Sequence, residues 1–118
     1  MSAHHAPALT AIAFQLSAAL ESYQQDMDSL DDPWSQREQY KRVSDEFDMV
    51  RMLKGALPEL SVAMVEVLIA HVELMSALWN SSPAAKGGSA PLESLRSRHR
   101  SAVESMRARC LRFFSRQQ

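Results

Sequence analysis

The stretch Pro58–Asn80, PELSVAMVEVLIAHVELMSALWN, constrains the fold more than any other part of the chain. From Leu60 to Trp79, fifteen of twenty positions are apolar or alanine, and no glycine or proline interrupts them. On a helical projection the exceptions are ordered. Glu59, Glu66 and Glu73 recur every seventh residue on one stripe, and Ala63, Ala70 and Ala77 lie about 40° round from it. Large apolar residues such as Met64, Val65, Leu68, Val72 and Leu74 occupy the remaining arc. A helix apolar over most of its circumference has to be covered on several sides. At roughly 35 Å in length it also needs long helices as neighbours. Lipid would suit the length but not the composition: each charged Glu, and His71 if protonated, would cost about 2.5 kcal/mol or more there. No basic cluster flanks the stretch, which reads as the core helix of a soluble bundle.

At 118 residues the chain is long enough for one domain with a core of its own. One cysteine and three glycines exclude a disulfide framework and a multi-cysteine zinc site. Cys110 alone is consistent with a reducing compartment. No Lys or Arg precedes the apolar run from Ala8 to Leu20, which reads against a secretory signal, and a cytoplasmic protein is expected. The net charge of −1 conceals a split. Residues 1–80 carry five basic and twelve acidic side chains, residues 81–118 eight basic and two acidic. Such asymmetry means either internal pairing or a separate basic surface.

Three further helices follow from periodicity. Leu9, Ala13, Leu16, Leu20, Tyr23 and Met27 alternate spacings of four and three, a seam for left-handed bundle packing. Tyr40, Val43, Phe47, Val50, Leu53 and Leu57 repeat the pattern behind Asp32, a predicted N-cap, and Pro33, a predicted first helical residue. Trp34 is placed to lid that end of the bundle. Gly55 and Pro58 predict a short turn, hence antiparallel neighbours. SSPAAKGGSAP reads as a linker over residues 81–90, and the last helix carries its apolar stripe through Leu95, His99, Val103, Met106, Cys110 and Phe113. The fold expected is all-α: an antiparallel up-down four-helix bundle over residues 7–30, 33–56, 58–80 and 91–116, one domain, forming a homodimer.

The strongest chemical bias is on the last helix, where Arg96, Arg98, Arg100, Arg107, Arg109, Arg112 and Arg116 appear without a lysine. Arginine forks fit carboxylates and phosphates bidentately. Two readings compete with internal pairing: a nucleic-acid backbone and, less well supported, an anionic membrane surface. In an up-down bundle the start of helix four lies beside Asp26, Asp28 and Asp31 at the end of helix one, so internal pairing is favoured. The alanine row Ala63, Ala70 and Ala77, with His71, is the candidate core or dimer seam, because small residues admit a second backbone closely. His71 has no carboxylate three or four residues away and needs a distant partner; neighbouring arginines are expected to depress the pKa of His99.

No catalytic motif, nucleotide fingerprint or Glu-x-x-His pair is present. DMDSLDD fails as a calcium loop because Leu30, Asp31 and Arg37 stand where a ligand, the turn glycine and the closing Glu belong. With Met1 removed, the chain would begin Ser-Ala-His-His, whose free amine, two backbone amides and His4 imidazole make the donor set for square-planar copper or nickel, a pattern short enough to arise by chance. The functional expectation is therefore a non-catalytic interaction, adaptor or regulatory protein with an unidentified protein partner and no metal or cofactor. The alternative is a nucleic-acid-binding regulator using the arginine helix.

Overall fold

A computed structural model describes residues 2–80 and 89–116, with side chains for 8–80 and 91–113. Among the described residues the protein is all-α, with four α-helices and no strand: α1 Ser2–Asp28, α2 Arg37–Lys54, α3 Ser61–Asn80 and α4 Ser89–Arg116. A single 3₁₀ turn, Pro58–Leu60, leads into α3. Most of the expected linker falls in residues 81–88, outside the described residues.

The α1 seam is buried as its spacing requires, with Ala13, Leu16, Leu20, Tyr23 and Met27 all at zero exposure. The helix ends at Asp28 through tightened i→i+3 bonds, Ser29 N–H to Asp26 O and Leu30 N–H to Met27 O. α2 begins four residues later than Pro33. Asp32 accepts a bond from Trp34 N–H, and its carbonyl accepts from Ser35 and Gln36, so it closes a turn instead of capping the helix. Gln36 takes the N-cap position without a side-chain cap, its amide being engaged by Asp31 N–H and Ser29 O. Gly55 ends α2 at φ −54°, a right-handed conformation, so this turn needs no left-handed glycine. α4 starts at Ser89, before Pro91, because a proline in the first turn removes no intrahelical hydrogen bond.

α1 packs against α2 and α4, and α3 packs chiefly against α4. α2 and α3 touch at few points despite their short connection. Rising residue numbers on α4 meet falling numbers on α1, as Arg100 at Asp28 and Arg107 at Glu21 show. The molecule measures 59 × 25 × 17 Å. Its thinnest dimension holds two layers of helices about 10 Å across, so each helix has an outer face.

Candidate functional site

Four arginines of α4 are engaged by the chain itself. Arg96 donates to the carbonyls of Leu30 at 2.7 Å and Met27 at 3.5 Å, supplying the partners that the C-terminal end of α1 lacks. Arg100 pairs with Asp28 at 3.0 Å, Arg107 with Glu21 at 3.2 Å and Arg98 with Glu73 at 3.7 Å. The sequence placed Asp26 and Asp31 among these partners, but both lie elsewhere. Asp31 O accepts from Tyr40, whose hydroxyl burial pushes up to about 12 despite Arg96 nearby. Asp26 faces Glu46 of α2, whose carboxyl is held above the usual range by burial and then by that neighbour, with Ser22 opposing. Arg109 and Arg112 are exposed and line a small recess with Glu59, Leu60 and Phe113. The side chain of Arg116 lies outside the described residues.

The core contains a polar network that the sequence did not assemble. The Tyr23 hydroxyl lies 2.6 Å from His71 Nδ1 and 2.7 Å from His99 Nε2, joining α1, α3 and α4. The Phe47 ring of α2 stacks flat on His71 at 4.1 Å. Tyr23 and His99 have zero exposure, and His71 is half-buried. One hydroxyl proton serves two imidazoles, so one ring accepts and the other donates. His99 Nδ1 is buried without a partner. An unpartnered acceptor is tolerated better than an unpartnered N–H, which assigns His99 as donor through Nε2–H and His71 as acceptor at Nδ1. Burial lowers both imidazoles to about 4; for His99 the neighbouring His71, Arg100 and Arg96 add to that effect and Asp28 opposes it. The depression expected for His99 is present, but burial outranks the arginines as its cause. Burial likewise holds the Tyr23 phenol far above its ordinary value.

Tyr23 was legible as a seam residue and missed as a hydrogen-bond hub. A phenol within a Leu/Met seam requires a partner for its tip, and two histidines on apolar stripes require the same. That shared need was the available signal.

Ala63 and Ala70 are buried within the chain and Ala77 is half-buried, so the alanine row faces helices of the same chain. Along α4, Ser97, Ser101, Ala102 and Ser105 line an open groove with Ile69 and Ala70 of α3. From Ile69 at the rim of that groove, the outward side of α3 is open and apolar: Val62, Val65, Ile69, Val72 and Trp79 are between 46% and 66% exposed. Trp34, expected to lid the bundle, is 68% exposed; it meets Trp79 edge-on at 5.7 Å, with the Arg37 guanidinium 5.7 Å over its ring.

Cys110 is fully buried, and burial pushes its thiol to about 11 against the opposing effect of Arg107. Among the described residues no group of three or more His, Cys, Asp or Glu is placed to hold a metal ion. The side chains of the N-terminal Ser-Ala-His-His pattern lie outside the described residues. By length and composition, Pro58–Asn80 is the one helix among the described residues that could cross a membrane. Set against protein-family models, curated proteins and solved structures, the chain has no significant match.

Proposed function

We propose that this chain is a non-catalytic interaction protein of the cytoplasm, an adaptor or regulatory subunit, built as an antiparallel up-down four-helix bundle that self-associates. The carrying observation is the engagement of Arg96, Arg98, Arg100 and Arg107 with α1 and α3. A phosphate-reading helix keeps its guanidinium groups directed outward, whereas these four reach the chain's own carbonyls and carboxylates. The opposed numbering along α1 and α4, with the short α2–α3 connection, supports the up-down arrangement. The exposed apolar face of α3 supports interaction with protein.

The test is binding to labelled duplex DNA and single-stranded RNA across a salt series. Absence of binding at low salt supports the interaction reading. Submicromolar binding with a steep logarithmic salt slope overturns it in favour of a nucleic-acid-binding regulator. Alanine at Arg109 and Arg112 would then flatten that slope.

A further inference from the structure

Val62, Val65, Ile69, Val72, Ser76 and Trp79 succeed one another at intervals of 3, 4, 3, 4 and 3 along the outward side of α3. All six are exposed. The core-facing side of the same helix is separately apolar and already covered, through Val67, Leu74 and Leu78. The alternation of threes and fours repeats every seven residues, the spacing at which a row of side chains can meet a second helix crossing at about 20°. Any outward face of a helix carries this spacing, so the row fits a second helix in shape, and area and charge decide the occupant.

We propose that this helix is α3 of a second copy of the chain, paired with the first in parallel along the outward seam. The assignment rests on the self-association reading above and deepens it. The exposed apolar side chains of the seam and the adjoining Leu68 present roughly 600 Å², at the upper limit for a monomer's largest patch. With their polar rim they approach the ≈ 800 Å² per partner that a stable dimer covers. A second copy carries the same seam already folded, giving a self-complementary contact. Trp79 ends the seam against Trp34, and tryptophan is enriched among the residues that dominate interface energies.

Charge selects the orientation. Glu66 and Glu73 flank the seam on one side, Leu68 and Met75 on the other. Parallel helices bring each flank against the opposite flank of the partner, so carboxylates meet neutral side chains. Antiparallel helices bring like flanks together and place Glu66 near the partner's Glu73, a repulsion that Arg98, 3.7 Å from Glu73 in its own chain, offsets only in part. The stretch Pro58–Asn80 contains three Glu and no Lys or Arg, which disfavours an anionic membrane or nucleic acid as occupant.

The experiment is sedimentation velocity of the full chain at micromolar concentration, with and without Ile69→Glu/Val72→Glu. Both positions are exposed, so helical circular dichroism should be unchanged while the dimer dissociation constant rises at least about 30-fold. Single variants Val65→Cys and Val72→Cys should each cross-link to themselves on oxidation, with buried Cys110 left in place. A bridge formed only between unlike positions in the double-cysteine chain overturns the parallel orientation. A dimer that survives the glutamates overturns the seam but leaves self-association standing. A monomeric wild type overturns both, and a monomer that co-sediments with phosphatidylcholine vesicles identifies lipid as the occupant.

Discussion

Tyr23→Phe tests the reading of the core most sharply, because it removes one oxygen and almost no volume. The hydroxyl has two close partners, at 2.6 and 2.7 Å, and its residue has no exposure. Without it His99 Nε2 joins Nδ1 as a second buried nitrogen lacking a partner, and His71 Nδ1 is left to whatever water reaches a half-buried ring. Each stranded polar group costs about 1–3 kcal/mol, the lower end applying to His71. The variant should therefore lose roughly 2–4 kcal/mol, a large fraction of the ~5–15 kcal/mol that holds a domain folded. Urea denaturation followed by circular dichroism at pH 7.5 and fixed protein concentration should show the midpoint falling by about 1–2 M with the slope unchanged. Adding His99→Leu removes the stranded imidazole and should recover about half of the loss. A loss below about 0.5 kcal/mol in Tyr23→Phe would refute the network as a source of stability.

Acid should destabilise the fold through the same histidines. Above about pH 6.5 both are neutral folded or unfolded; below it the unfolded chain takes up protons that the folded chain refuses until about pH 4. His99 alone should cost up to about 3 kcal/mol across that window and His71 less, with Glu46 acting weakly in the opposite sense; a flat urea midpoint between pH 7 and 4.5 would contradict this. Arg96→Ala should destabilise by about 1.5–3 kcal/mol, and Arg96→Lys should restore only part of it, since an ammonium cannot fork to two carbonyls. Cys110 should resist an aromatic disulfide reagent in the native protein and react within seconds in 6 M guanidinium; fast native reaction would place it outside the core. Thermal midpoints should rise with protein concentration, by about 2.7 kcal/mol of added stability at a hundredfold excess over the dissociation constant, and Ile69→Glu/Val72→Glu should cut that gain to below about 1 kcal/mol.

The helices were legible because apolar spacing and burial answer to the same geometry. The seam from Leu9 to Met27 and the stripe from His99 to Phe113 needed nothing beyond period counting. Boundaries were harder, since Asp32 and Pro33 carry the chemistry of a helix start and of a turn equally well. Gln36, whose side chain spans Asp31 and Ser29, decides between them, and no propensity marks it for that role. The two faces of α3 were not separable in sequence because both are apolar. The row from Val62 to Trp79 emerges only once Ala63, Val67, Leu74 and Leu78 are assigned to the interior. The Tyr23 network was illegible for another reason: its members are separated by 48 and 76 residues, and local periodicity is silent about which seams meet.

The inner network and the outer seam are linked through the placement of α3. Heptad seams are nearly degenerate under a shift of one repeat, because each layer of Leu, Val and Met resembles the next. A hydrogen bond opposes such a shift: sliding α3 by seven residues would carry His71 about 10 Å from the Tyr23 hydroxyl. α2 adds the Phe47 ring stacked on His71, a contact that a shift of α3 would also break. Tyr23, His71 and His99 thus add a contact among α1, α3 and α4 that is satisfied in one register and lost on a shift of one repeat. The register also determines which residues of α3 point outward. With His71 held against Tyr23 and Phe47, Val65, Ile69 and Val72 stand on the far side of the helix, clear of the core. The chemistry inside the bundle thus bears on which apolar side chains of α3 stand exposed.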